Sequence, residues 1–224
     1  MKVHEGLFIG LTLLALFFFA VFFVVGKIHY SGKYKQSFSI RNMFPFEYNY
    51  NSHFFDNFYS NLGIILSVSL TITYYSFFIF AFRGDGLLVA LGIAGLVCSA
   101  CTLFLPFVPF KDVKLHVAID ALLFVFVLVH SGLLLVSGYK YRSDGGNVMF
   151  MVIFYIGILL SLINVVLIIN PKLTTRFKPV EKVNENGEKV YERPKYIVWA
   201  FTEWLIVFAF YLQLIVSTLF VIAL

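Results

Sequence analysis

Residues Leu115–Ser131 read LHVAIDALLFVFVLVHS, and the rest of the chain is best understood outward from them. They lie within a continuous apolar run, Val113–Gly138, longer than the ~20 residues a helix needs to cross a bilayer. Yet the run holds a carboxylate, Asp120, and two imidazoles, His116 and His130. Ionisable groups in hydrocarbon are costly, so they face the protein interior, pair with a partner and mark function. At about 100° per residue the three fall within roughly 80° of one another, on one stripe of one helix.

Composition agrees with a membrane setting. Of 224 residues, 60% are hydrophobic and only 13% charged, and the mean hydropathy is +0.89. Soluble domains carry about 25% charge. The formal charge of +5 does not point to nucleic acid, because the basic residues sit between apolar runs, where membrane proteins keep them. The two cysteines, Cys98 and Cys101, both lie inside an apolar segment. They form a C-x-x-C with no second pair, and read as small packing residues instead of a zinc or thiol site.

Six runs are long and apolar enough to span: 7–26, 62–82, 86–110, 113–138, 148–170 and 196–224. They are continuous, not alternating, so the fold expected is an all-α, six-transmembrane-helix bundle forming a single membrane domain. The first run is longer than a signal-peptide core of roughly 7–15 residues and reads as a signal anchor. Pro106 and Pro109 should kink or end the third helix. Gly92, Gly95, Ser99 and Thr102 form a small-residue ridge on it, which permits close helix approach.

With six spans, the two long connections, 27–61 and 171–195, share one face of the membrane. The first is rich in aromatic residues, and the second contains Asn186-Gly187 between Val183 and Val190, a hairpin signal. These loops are expected to pack on each other as a small extramembrane cap. Thirteen of the 17 Lys and Arg lie on that face and four on the face of the termini, so charge alone would put the long loops in the cytosol.

His116 and Asp120 are spaced i, i+4 and can touch. Glu203, in YIVWAFTEWLIVFAFYLQ of the last run, falls roughly 10 Å from the same face. The cluster expected is therefore His116, Asp120 and Glu203. His130, Ser161, Asn164, Trp199 and Trp204 are secondary candidates. Two buried carboxylates repel if both are ionised, so one should hold a proton or bind a cation. Four readings fit: a structural clasp between helices four and six, a lipid-headgroup groove, a metal hydrolase and a haem protein. No H-x-x-x-H occurs, and no other span offers a histidine for haem. The expectation names no catalytic residue, no metal ligand set and no cofactor. Trp199 and Trp204 read first as interfacial or packing aromatics.

Several of these residues carry a likeness to a known family. Asn42-Met43-Phe44-Pro45 in the first loop, His116 opening helix four, His130 fourteen residues on, and Ala200-Phe201-Thr202-Glu203-Trp204 in the last helix resemble the Frag/DRAM/Sfk group of six-helix eukaryotic membrane proteins. His130 resembles the branch that remodels GPI-anchor lipids. The chain differs in having no cysteine in its first loop and no polar tail after Leu224, so recruitment through such a tail is not expected.

The resemblance implies termini in the cytosol, against the charge count, and residence in the plasma membrane or an endomembrane (ER, Golgi or lysosome). It implies work on membrane lipid, with lipids and a protein complex as partners and no nucleic acid. The function expected is a non-enzymatic anchor, adaptor or lipid-binding regulator in lipid homeostasis or transport. A factor or enzyme in GPI-anchor lipid remodelling is the alternative, and a small channel or transporter subunit the second.

Overall fold

The computed structural model describes residues 5–49, 53–108, 113–173, 180–183 and 189–224. The chain is an all-α polytopic membrane protein with six helices long and apolar enough to span. They are α1 (Glu5–Tyr34), α2 (Phe58–Ala81), α3 (Gly86–Phe104), α4 (Val113–Ser143), α5 (Met149–Ile168) and α6 (Val198–Ala223). Two short strands, β1 (Val180–Val183) and β2 (Lys189–Glu192), pair antiparallel with Val183 opposite Lys189. The Asn186-Gly187 turn expected between them lies outside the described residues.

Four helix ends depart from the hydropathy reading: α2 begins at Phe58, four residues before position 62, α4 runs to Ser143, five past Gly138, and the ends of α1 and α3 differ most. α1 does not stop at Gly26 but continues to Tyr34, ending where Lys35 takes a left-handed φ of 54°, the usual helix stop. Hydropathy detects only the buried part of a helix, and Lys27–Tyr34 is too polar to register. α3 stops at Phe104, not Phe110. Pro106 has no N–H to continue the ladder, and the chain turns instead, with Val108 N–H donating to Phe104 O at 3.1 Å.

Consecutive helices pack side by side from α1 to α6, and α6 also packs on α1, α3 and α4. α6 is thus the central post. Several of its polar side chains reach neighbouring helices: Tyr211 OH lies 2.7 Å from Ser67 Oγ of α2, and Gln213 Nε2 donates to Val127 O of α4 at 3.0 Å. Thr218 Oγ1 reaches Tyr74 OH at 3.2 Å and Thr12 Oγ1 at 2.7 Å. With no water in hydrocarbon, such groups must be satisfied inside the bundle.

The small-residue ridge of α3 faces α2. A Cβ on Gly92 would run into Ile79, and one on Gly95 into the Tyr75 ring. Cys98 and Cys101 are buried free thiols on the same helix.

The two long loops meet. Ile197 N–H donates to Arg41 O at 2.8 Å, Asn42 Nδ2 to Pro194 O at 3.0 Å, and Trp204 Nε1 to Met43 O at 2.9 Å. Arg193 grips Glu47 through two bonds of 2.6 and 2.7 Å. The segment between, a 3₁₀ turn at Pro45–Asn49, is pressed onto the ends of α4 and α6. That is the cap.

Candidate functional site

Under this cap three ionisable side chains converge. His116 sits in the first turn of α4, Asp120 one turn further along it, and Glu203 in the second turn of α6. His116 Nε2 is 3.5 Å from Asp120 Oδ2 and 3.4 Å from Glu203 Oε2. One donor atom from each residue lies within 4.8 Å of the other two. All three are buried, with Asp120 the most accessible at 2%.

The local chain explains the arrangement. The turn forced by Pro106 leaves Val108 O unpaired by helix, and it lies 2.9 Å from His116 Nδ1. A carbonyl only accepts, so Nδ1 is the protonated nitrogen and Nε2 is turned to the carboxylates. Asp120 Oδ2 accepts Trp199 Nε1–H at 2.6 Å, which holds that carboxylate from the start of α6. Among the described residues its Oδ1 accepts no hydrogen bond, and neither oxygen of Glu203 does.

The roof over the cluster is aromatic. Phe44 and Phe46 stand edge-on to the His116 ring, with centroids 5.9 and 5.4 Å away. Trp199 packs on both His116 and Phe44, each at 6.3 Å. Phe44 is placed by its own N–H donating to Glu47 Oε1 at 2.8 Å, the carboxylate that Arg193 holds. The roof is therefore fixed from the fifth loop as well as the first.

The secondary candidates go elsewhere. Trp199 belongs to the cluster through Asp120, whereas Trp204 is a fully buried core residue tying α6 to Met43. Ser161 and Asn164 of α5 both meet Ser131 of α4, at 3.1 and 3.4 Å, and make an α4–α5 contact separate from the cluster. His130 is buried against Tyr75, with centroids 5.5 Å apart. It shares a stripe with His116 but lies almost four helical turns further into the membrane, so the two imidazoles do not act on one ligand.

Residues that sequence reasoning passed over include Glu47, Arg193 and the carbonyl of Val108. Glu47 is a lone carboxylate in an aromatic segment, a pattern that signals a buried ion pair. The Val108 carbonyl carries no residue-type signal at all. It is created by the turn.

Chemically, the arrangement offers one nitrogen and two carboxylates in a buried, low-dielectric setting. It can share protons, clasp two helices or coordinate a cation. Comparison of the chain with protein-family profiles, with curated proteins and with solved structures finds no match.

Proposed function

We propose that this polytopic membrane protein is a non-enzymatic subunit of lipid homeostasis or lipid transport that anchors a larger assembly to the bilayer. The observation that carries this reading is the sealed roof. Phe44, Phe46 and Trp199 close over His116, Asp120 and Glu203, and the Glu47–Arg193 pair latches the loop that brings them. Sites that turn over a substrate present an open cleft with convergent polar groups. Here the polar groups converge and the approach is shut, which suits a holding role.

Further support comes from what is left outward. α5 exposes Met151, Val152, Tyr155, Leu159, Leu162 and Val166, an apolar face for acyl chains or a partner helix. Between the spans the cap and the helix flanks are the surfaces outside the bilayer, and contact with an assembly would fall to them. The likeness to the Frag/DRAM/Sfk group adds the lipid setting and cytosolic termini to the proposal. Purification in a gentle detergent should recover a stoichiometric protein partner. Repeated recovery of a lone chain would overturn the anchoring role.

One observation favours a second reading, a factor or enzyme that remodels GPI-anchor lipid. Among the described residues both carboxylate oxygens of buried Glu203 are without a hydrogen bond, as a group kept for a ligand would be. In that case the purified protein changes lipid species, and Glu203→Gln or Asp120→Asn abolishes the change with folding intact. No conversion of lipid by folded wild-type protein leaves the anchor.

A further inference from the structure

We infer that His116, Asp120 and Glu203 form a binding site for one divalent transition-metal cation of the zinc type, which rivets α4 to α6 beneath the cap.

Distance is the first argument. A proton shared between imidazolium and carboxylate contracts the pair to about 2.7–2.9 Å. The two contacts of His116 Nε2 are 3.5 and 3.4 Å, too long for that. Ligands held at about 2.0–2.1 Å around a tetrahedral ion stand about 3.3–3.4 Å from each other. These two edges match the second geometry, and the Asp120–Glu203 edge lies within 4.8 Å.

Orientation is the second. A metal-binding histidine commonly donates its other N–H to a carbonyl, which fixes the ring and raises ligand basicity. Val108 O accepts from Nδ1 here, leaving Nε2 as the coordinating atom. The Trp199 indole N–H donates to Asp120 Oδ2, the same oxygen that faces His116 Nε2 at 3.5 Å, and so fixes that carboxylate against the site. Glu203 is wholly buried with neither oxygen hydrogen-bonded, though such groups almost always find a partner.

Charge is the third. Among the described residues, the ion-pair partner of both Asp120 and Glu203 is His116, and neither meets a Lys or Arg. Two carboxylates, a neutral imidazole and a doubly charged cation sum to zero, the cheapest state in a low-dielectric site. The mixed N, O, O donor set suits zinc or a neighbouring first-row ion, whereas magnesium and calcium take all-oxygen shells. The sequence has no H-x-x-x-H. The third ligand comes instead from another helix.

The inference stands whether the protein anchors an assembly or acts on lipid, since its test reads only the metal. The full chain is purified in detergent, stripped with EDTA, and titrated with zinc chloride while thermal unfolding and bound metal are measured, with magnesium chloride as control. Zinc should bind at about one per chain and raise the unfolding midpoint by ~5 °C or more, and magnesium should not. Cobalt in its place should give the visible absorption of a tetrahedral site. Glu203→Gln should weaken zinc binding by about 100-fold or more, and Trp199→Phe, which leaves all three ligands, by roughly 10–100-fold. A stripped wild-type chain that neither binds zinc nor is stabilised by it overturns the site, even if the variants fail to fold. Zinc binding undiminished in folded Glu203→Gln and Asp120→Asn overturns it too.

Discussion

Arg193 and Glu47 form a two-pronged ion pair, Nη1 to Oε2 at 2.6 Å and Nη2 to Oε1 at 2.7 Å, that joins the fifth loop to the first. The Glu47 side chain is 9% exposed and that of Arg193 35%. The pair is charge-assisted and bidentate, a geometry lysine cannot copy. Arg193→Ala leaves a buried carboxylate unpaired, which costs about 2 kcal/mol, and Arg193→Lys should recover less than half of it. Because the latch holds the roof and not the membrane helices, limited proteolysis should cut the fifth loop faster while the six-helix core survives.

Helix spacing supplies a second prediction. A Cβ on Gly63 of α2 would lie 2.8 Å from Phe22 N and 3.0 Å from Phe18 O of α1, both backbone atoms. Backbone cannot step aside, so Gly63→Ala must push the helices apart, at roughly 1–3 kcal/mol. Gly132 of α4 has nothing within 4 Å of the same position. There an alanine relieves a helix-interior glycine and should be neutral or stabilise by up to ~1 kcal/mol. Unfolding midpoints of the two variants in one detergent should move in opposite directions or differ by several degrees.

Trp204 tests how the cap is tied to the bundle. Its ring stacks with Phe208 at 5.9 Å and stands edge-on to Phe23 at 5.4 Å, while Nε1 donates to Met43 O. Trp204→Phe keeps most of the packing but strands a buried carbonyl, a loss of about 1–3 kcal/mol. Hydrogen exchange should rise at residues 39–47 more than in α6 itself. Equal change in both would mean that the ring, not the hydrogen bond, is what matters.

Much of this was legible before any coordinates. Apolar length places six helices, and i, i+4 spacing puts His116 beside Asp120. Counting turns from the long-loop face puts Glu203 at their depth. What periodicity cannot supply is rotation between helices. Ser161 and Asn164, secondary candidates in the sequence, meet Ser131 of α4, about three turns deeper in the membrane than Asp120. Nor can it supply backbone acceptors: Val108 O reaches His116 only because α3 ends at Phe104, ahead of Pro106. The helix ends erred where polarity and hydropathy part company, at Lys27–Tyr34 of α1.

Asp85, at the opposite membrane face, gives a pH prediction. It caps α3, its Oδ1 accepting the N–H groups of Leu87 and Leu88 at 2.9 and 3.3 Å. Its Oδ2 takes Lys140 Nζ at 2.7 Å and Tyr141 OH at 3.1 Å from α4. Partial burial works to raise the Asp85 pKa, but the bonds from Lys140, Leu88, Tyr141 and Leu87 outweigh it and hold the carboxyl below its ordinary 3.8. A carboxylate with a lowered folded-state pKa stabilises the fold fully above its unfolded pKa and loses that contribution as pH falls through the folded one. Asparagine caps a helix as well as aspartate, so the wild type should exceed Asp85→Asn in stability at neutral pH by up to ~1 kcal/mol, the worth of the charge toward Lys140 and the helix N-terminus. The gap should be flat down to about pH 5 and close below the ordinary aspartate range. Subtracting the two unfolding curves at each pH removes the carboxylates they share. A difference that stays constant to the most acid pH would show that Asp85 acts through shape and not through charge.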